Sequence, residues 1–300
     1  MPSRAVVDEA TGRKWFLDDP DDLGPGEEVT FLLSLHGGGS VGFWQREYFP
    51  AYLYKERYRL VIATPSAATK EPMRRWVPEA DDEHLRNIVE DVVRRYGAVR
   101  IRSFWLVGHS QGGFTCQRLL NTEYFAARVD GWLSLSGGRI GQAEVVPDFG
   151  PPERPAGAPS PEVRRQLFRL PVPETDFSFI YAVAEHEIVA LPEGSPLAER
   201  YGAGPKELLE EVVDEEPGRI HDTRWEGRFK RSWGREARPG RARIYVYPNA
   251  AGGRLIADVV RLDKGHTEGL EPRITERLVQ LMLQAPGGKL RALARAAAES

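Results

Sequence analysis

Residues Gly108 to Gly112 read Gly-His-Ser-Gln-Gly, a G-x-S-x-G pattern that sets a serine hydroxyl between residues small enough for a sharp turn. Such a hydroxyl becomes a nucleophile when a neighbouring base takes its proton, and its natural target is an acyl carbonyl. In a chain with 30 glycines the pattern alone is weak. Its surroundings strengthen it. The apolar run SFWLV, from Ser103, leads directly into Ser110, and QGGFTCQRLLNTEYF leaves it with the composition of a helix. The first amides of that helix favour a developing oxyanion, so the Gln111 N–H is the expected first donor. A second donor is expected from LHGGGS, where glycines after an early strand let backbone amides approach a substrate oxygen; Gly38 is the first choice and Gly39 the next.

Of the six histidines, His36 lies in that glycine loop, His84 opens a helix, and His109 adjoins the serine but points elsewhere on a tight turn. His186 and His221 remain, with His266 in RLDKGHTEGLEP. The chain order Ser, acid, His places the base after the last strand and before the last helix, the position of His266. An acid that orients this imidazole is expected after FSFIYAVA, where Ala-Glu-His-Glu offers Glu185 and Glu187, with Asp222, Asp258 and Asp263 as fallbacks. Aspartate is the commoner choice, but any buried carboxylate that accepts from the ring N–H serves.

These residues need a scaffold of strands with helices between them. Short apolar runs start at Phe31, Tyr58, Ser103, Val129 and Phe177, as expected for strands covered on both faces. Between the second and third, Leu85, Ile88, Val89, Val92 and Val93 recur at helical spacing until Gly97. The alternation implies βαβ units and a mostly parallel sheet with helices on both faces, an α/β fold. RIYVYPNAAGGRLIADVVRL predicts a hairpin or an extended strand, and EPRITERLVQLMLQ an amphipathic helix. We expect a single domain over 1–300, with an insertion over 191–243 and a poorly ordered tail over 286–300.

Composition narrows the function classes. The 300 residues carry a net charge of −3, too small for a field that draws in nucleic acid or an anionic membrane. The single cysteine, Cys116, rules out an intramolecular disulfide and a cysteine-rich metal site. The charged N-terminus and the lack of a long apolar run suggest a cytoplasmic protein with no membrane span. Nucleophilic attack by a serine with a histidine base requires no metal or cofactor. Within the insertion, Trp225, Phe229 and Trp233 fall at i, i+4 and i+8 among many arginines. On a helix they form one aromatic stripe, which either packs on the body or lines a lid over Ser110.

LHGGGS, the run WVPEADDEHLRNIVEDVVRRYG leading into FWLVGHSQGG, and GHTEG resemble the poly(3-hydroxybutyrate) depolymerase and feruloyl esterase branch of the α/β-hydrolase superfamily. The resemblance spans roughly Val29 to His266. It implies an α/β-hydrolase fold and a serine esterase acting through an acyl-enzyme on a small or oligomeric ester. The family's tryptophan and acidic pair before the helix match Trp76, Asp81 and Asp82, which makes Trp76 a candidate substrate contact. The family's acid loop aligns with Ala184 to Glu187 and selects Glu187 over Glu185. Glutamate in place of aspartate is a departure, as is the absence of paired cysteines and of a signal peptide. An amidase or peptidase with the same triad, or a non-catalytic binding protein on this scaffold, are the competing readings.

Overall fold

A computed structural model describes residues 3–138, 171–187, 193–221, 233–234 and 236–299. Ten strands form one sheet in the order β1-β2-β4-β3-β5-β6-β7-β10-β9-β8. They are β1 (Arg4–Val7), β2 (Lys14–Asp18), β3 (Val29–Leu35), β4 (Leu60–Pro65), β5 (Ile101–His109), β6 (Gly131–Leu135), β7 (Ser178–Ala184), β8 (Glu207–Val213), β9 (Arg241–Val246) and β10 (Ile256–Leu262). The middle of the sheet, from β4 to β10, is parallel, and both edges are antiparallel. The helices are α1 (Gly42–Tyr48), α2 (Lys55–Tyr58), α3 (Pro78–Tyr96), α4 (Gln111–Leu120), α5 (Glu123–Ala126), α6 (Pro196–Arg200), α7 (Pro272–Gln284) and α8 (Lys289–Glu299).

Side chains of the central strands alternate between two cores, as the period of two requires. In β5, Phe104 and Leu106 join the core shared with α3 and α4, whereas Trp105 and Val107 join the core shared with α1 and α7. Helix α3 forms because Leu85, Ile88, Val89 and Val92 recur on one buried stripe. Pro78 opens it, Glu79 and Asp81 complement its positive end, and Gly97 at φ 80° follows its last residue.

From β3 the chain turns into α1 on one face, and from β5 into α4 on the other. Adjacent parallel strands whose connections leave to opposite faces open a crevice at their carboxyl ends. Because β3 pairs with β5 up to Leu35 and Gly108, the glycine loop and the G-x-S-x-G turn both emerge at that crevice.

Three expectations shift. The edge strands β1 and β2 and the helix α1 are too short to stand out in the sequence as periodic runs. Residues 207–213, inside the anticipated insertion, are a sheet edge strand paired with β9, and 222–232 lie outside the described residues. The tail is an ordered helix rather than a loose end. Leu290 of α8 is buried, the Lys289 amide donates to Asp130 Oδ1 at 3.1 Å, and Arg291 Nε donates to the Ile101 carbonyl at 3.0 Å. Burying one leucine contributes about 1.5–3 kcal/mol toward holding this helix against the body.

Candidate active site

Ser110 adopts φ 51° and ψ −118° between β5 and α4. A non-glycine residue with this backbone carries strain of about 1–3 kcal/mol, so its surroundings must enforce it. They do so through close packing. A Cβ on Gly108 would lie 2.4 Å from the Gly112 carbonyl carbon, and one on Gly112 would lie 2.2 Å from the Leu35 oxygen. The Ser110 amide donates to Leu135 O at 2.9 Å, and the Ser110 carbonyl accepts from Gly113 N–H at 2.9 Å. Glycines are required at both flanks, and the serine is held at the amino end of α4. There the Gln111 amide, first in its helix, has no intrahelical acceptor.

The glycine loop is fixed from below by His36. This imidazole is fully buried, its Nδ1 donates to Gly37 O at 2.7 Å, and its Nε2 accepts the Ala67 amide at 3.0 Å. Burial pushes its pKa down to about 4, so it is a neutral strut. Gly38 lies beside Gln111, since a Cβ there would be 4.0 Å from Gln111 Cβ. Gly39 departs from expectation: its amide donates to Arg74 O at 2.7 Å and is thereby committed, which leaves Gly38 as the loop's candidate donor. Met73 lies against both glycines, with its ε-methyl 3.2 Å from a Cβ built at Gly38, and it is half exposed.

Trp76 is placed as a support rather than as a substrate contact. It is buried, its indole N–H donates to His36 O at 2.8 Å, and its ring lies 4.7 Å from that of His36. Its amide donates to Gln111 Oε1 at 3.3 Å, which ties the segment before α3 to the serine turn. Asp81 accepts the Val77 and Ala68 amides, and Asp82 makes a bidentate pair with Arg118 of α4 at 2.6 Å.

Across the crevice, His266 follows β10 on a loop packed against the serine turn. Its Nδ1 is 2.7 Å from Glu187 Oε1, and both side chains are almost wholly buried. The ring nitrogen donates to the carboxylate, which leaves Nε2 as the proton acceptor. Glu185 is elsewhere, accepting the Asp263 amide at 2.7 Å. Among the fallbacks, Asp263 accepts from His186 Nε2 and Arg238, Asp258 accepts from Tyr247 Oη at 2.8 Å, and Asp222 lies outside the described residues.

The His266 loop rests on a buried ionic cluster that sequence reading missed. Glu271 lies 2.6 Å from Lys264 Nζ and 3.4 Å from Arg261, all three fully buried, and Arg261 also donates to Gly269 O at 2.8 Å. Trp233 reaches the site, its ring set edge-on to His266 at 5.0 Å and its carbonyl accepting the Thr267 amide at 2.6 Å. Trp225 and Phe229 lie outside the described residues. Among the described residues no group of three or more His, Cys, Asp or Glu could hold a metal ion, and no helix is long and apolar enough to cross a membrane.

The arrangement is a strained serine at a helix amino end, a glycine loop beside it, and a carboxylate-bound histidine opposite, on a parallel sheet with helices on both faces. The fold is that of the α/β-hydrolases. An acetyl xylan esterase from Aspergillus awamori is similar over 94% of this chain and 100% of its own, with a TM-score of 0.55 and 11% identity. The fluorophosphonate-binding serine hydrolase FphF of Staphylococcus aureus is similar over 62% of this chain and 79% of its own, at TM-score 0.37 and 15% identity. Esterase 2 of Thermogutta terrifontis matches over 61% of this chain and 70% of its own, at 0.39 and 12%. No protein-family model and no curated protein matches the sequence.

Proposed function

We propose that this α/β-hydrolase is a serine esterase that cleaves carboxylic esters through an acyl-enzyme. The observation that carries the reading is the buried 2.7 Å bond from His266 Nδ1 to Glu187, on a loop packed against the strained Ser110 turn. Ser110 Oγ attacks the ester carbonyl while its proton passes to His266 Nε2, and the carbonyl oxygen gains charge facing the Gly38 and Gln111 amides. The C–O bond to the alcohol then breaks, and the alcohol leaves with the proton from His266. Water, deprotonated by the same nitrogen, attacks the acyl carbon, and Ser110 recovers its proton as the carboxylic acid departs. Glu187 keeps the ring in the tautomer that leaves Nε2 free and stabilises the imidazolium between these transfers.

The test is turnover of p-nitrophenyl esters of graded acyl length beside the matching p-nitroanilides, by wild type and Ser110→Ala. Ester hydrolysis that disappears in the variant supports the reading. A faster anilide reaction makes the enzyme an amidase. Ester turnover unchanged in a folded Ser110→Ala variant overturns the reading.

A further inference from the structure

His109 is the last residue of β5, immediately before Ser110, and its imidazole is nearly inaccessible. It touches all three parts of the site. Its Nε2 lies 3.0 Å from the His266 carbonyl oxygen, which fixes Nε2 as the protonated nitrogen because a carbonyl only accepts. Its Nδ1 faces the glycine loop so closely that a Cβ on Gly37 would sit 2.8 Å from it and 3.2 Å from Ser110 Cβ. Its ring lies 4.9 Å from that of His266, 4.0 Å from Tyr48 and 5.3 Å from Trp44. Tyr48 Oη donates to the same His266 carbonyl at 3.1 Å.

We infer that His109 is a positioning residue: its imidazole joins the serine turn, the glycine loop and the His266 loop, and sets the distance between nucleophile and base. This rests on the reading of Ser110 and His266 as nucleophile and base. Three segments from different parts of the chain meet on one side chain that is continuous with the nucleophile. A shift of the His266 backbone therefore alters the approach of Nε2 to Ser110, whereas the substrate, held by Gly38, Gln111 and the crevice wall, is affected less. Misplacement of a reacting group by about 1 Å costs up to about a hundredfold in rate. Neutrality matters as well. Burial, followed by the nearby His266, holds the His109 pKa well below its ordinary value, so no second cation opposes the imidazolium that forms on His266.

The substitutions that separate this role from packing are His109→Phe, which keeps a ring without the N–H donor, and His109→Gln, whose amide can donate at a similar reach. Tyr48→Phe removes the second donor to the same carbonyl, together with the hydroxyl's contact to Ser136, and keeps the ring packing. On a p-nitrophenyl ester, kcat is expected to fall about tenfold to a hundredfold in His109→Phe with KM changed less than about threefold. His109→Gln is expected to recover most of the loss, and Tyr48→Phe to lose about twofold to fivefold in kcat alone. Labelling by a fluorophosphonate, which needs the same attack by Ser110, should slow in parallel. Wild-type protein that labels at Ser110 while His109→Phe labels and turns over equally fast would overturn the inference and leave the esterase reading intact. So would equal losses in His109→Phe and His109→Gln, both folded. Wild-type protein that neither labels nor turns over esters removes the esterase reading itself.

Discussion

Glu187 Oε1 and His266 Nδ1, 79 positions apart in the chain, meet at 2.7 Å inside the protein. They do so because β7 and β10 are adjacent and parallel, so the turn after Ala184 and the loop after Leu262 leave the same edge of the sheet. Glu187→Gln substitutes a neutral amide that cannot balance an imidazolium and that permits the other ring tautomer. A loss in kcat of about 10³–10⁴ follows. Glu185→Gln retains an oxygen able to accept the Asp263 amide and should lose less than about threefold. Steady-state kinetics of the two variants on one ester check the pair; reversed effects contradict the assignment.

Which of the two glutamates reaches the histidine could not be read from residue types. Both follow the same strand, and the choice depends on the turn in which the Glu187 amide donates to Ala184 O at 3.2 Å. The serine turn was legible because its glycines and flanking elements are local. Gly39 stood second to Gly38 in the sequence, which could not reveal that its amide's acceptor, Arg74 O, comes from a distant loop. Trp76 became a candidate substrate contact through the family resemblance, yet in the fold it is buried and gives its N–H to His36 O. His109 was set aside as a base, and its contacts across three segments exist only in the folded chain.

The buried ionic cluster predicts a stability effect. Glu271→Ala leaves Lys264 and Arg261 without their buried carboxylate, and removal of one partner from such a group costs about 3–5 kcal/mol. Urea unfolding should show a midpoint lowered to match, or no folded protein at all. A midpoint within experimental error of wild type would mean that the cations are solvated.

The buried histidines predict a pH effect of definite sign. His36 is held to about 4 against an ordinary 6.5 by its burial. As pH falls, the unfolded chain gains a proton near 6.5 while the native chain does not until about 4. The stability that neutral His36 confers is therefore complete above pH 6.5 and is lost between 6.5 and 4, on the order of 3 kcal/mol. His84 and His109 are lowered as well, chiefly by burial, and add to the slope. Unfolding free energies measured at pH 7, 6 and 5 should fall monotonically, and His36→Gln should flatten the slope by about one proton.

Met73 is half exposed against Gly38, so on the proposed esterase mechanism it lies beside the reacting carbonyl. Met73→Ala removes apolar contact worth about 1 kcal/mol, so KM for a p-nitrophenyl butyrate should rise about threefold to tenfold and that for the acetate less. An identical change for both esters would place Met73 outside the substrate path.

The central claim is that Ser110 is an activated nucleophile. Reaction of the folded protein with a fluorophosphonate, followed by intact-mass measurement and peptide mapping, tests it most directly. One adduct is expected, on Ser110, absent in Ser110→Ala and formed far more slowly in Glu187→Gln. Failure of the wild-type protein to react, or an adduct on another residue that persists in Ser110→Ala, would contradict it.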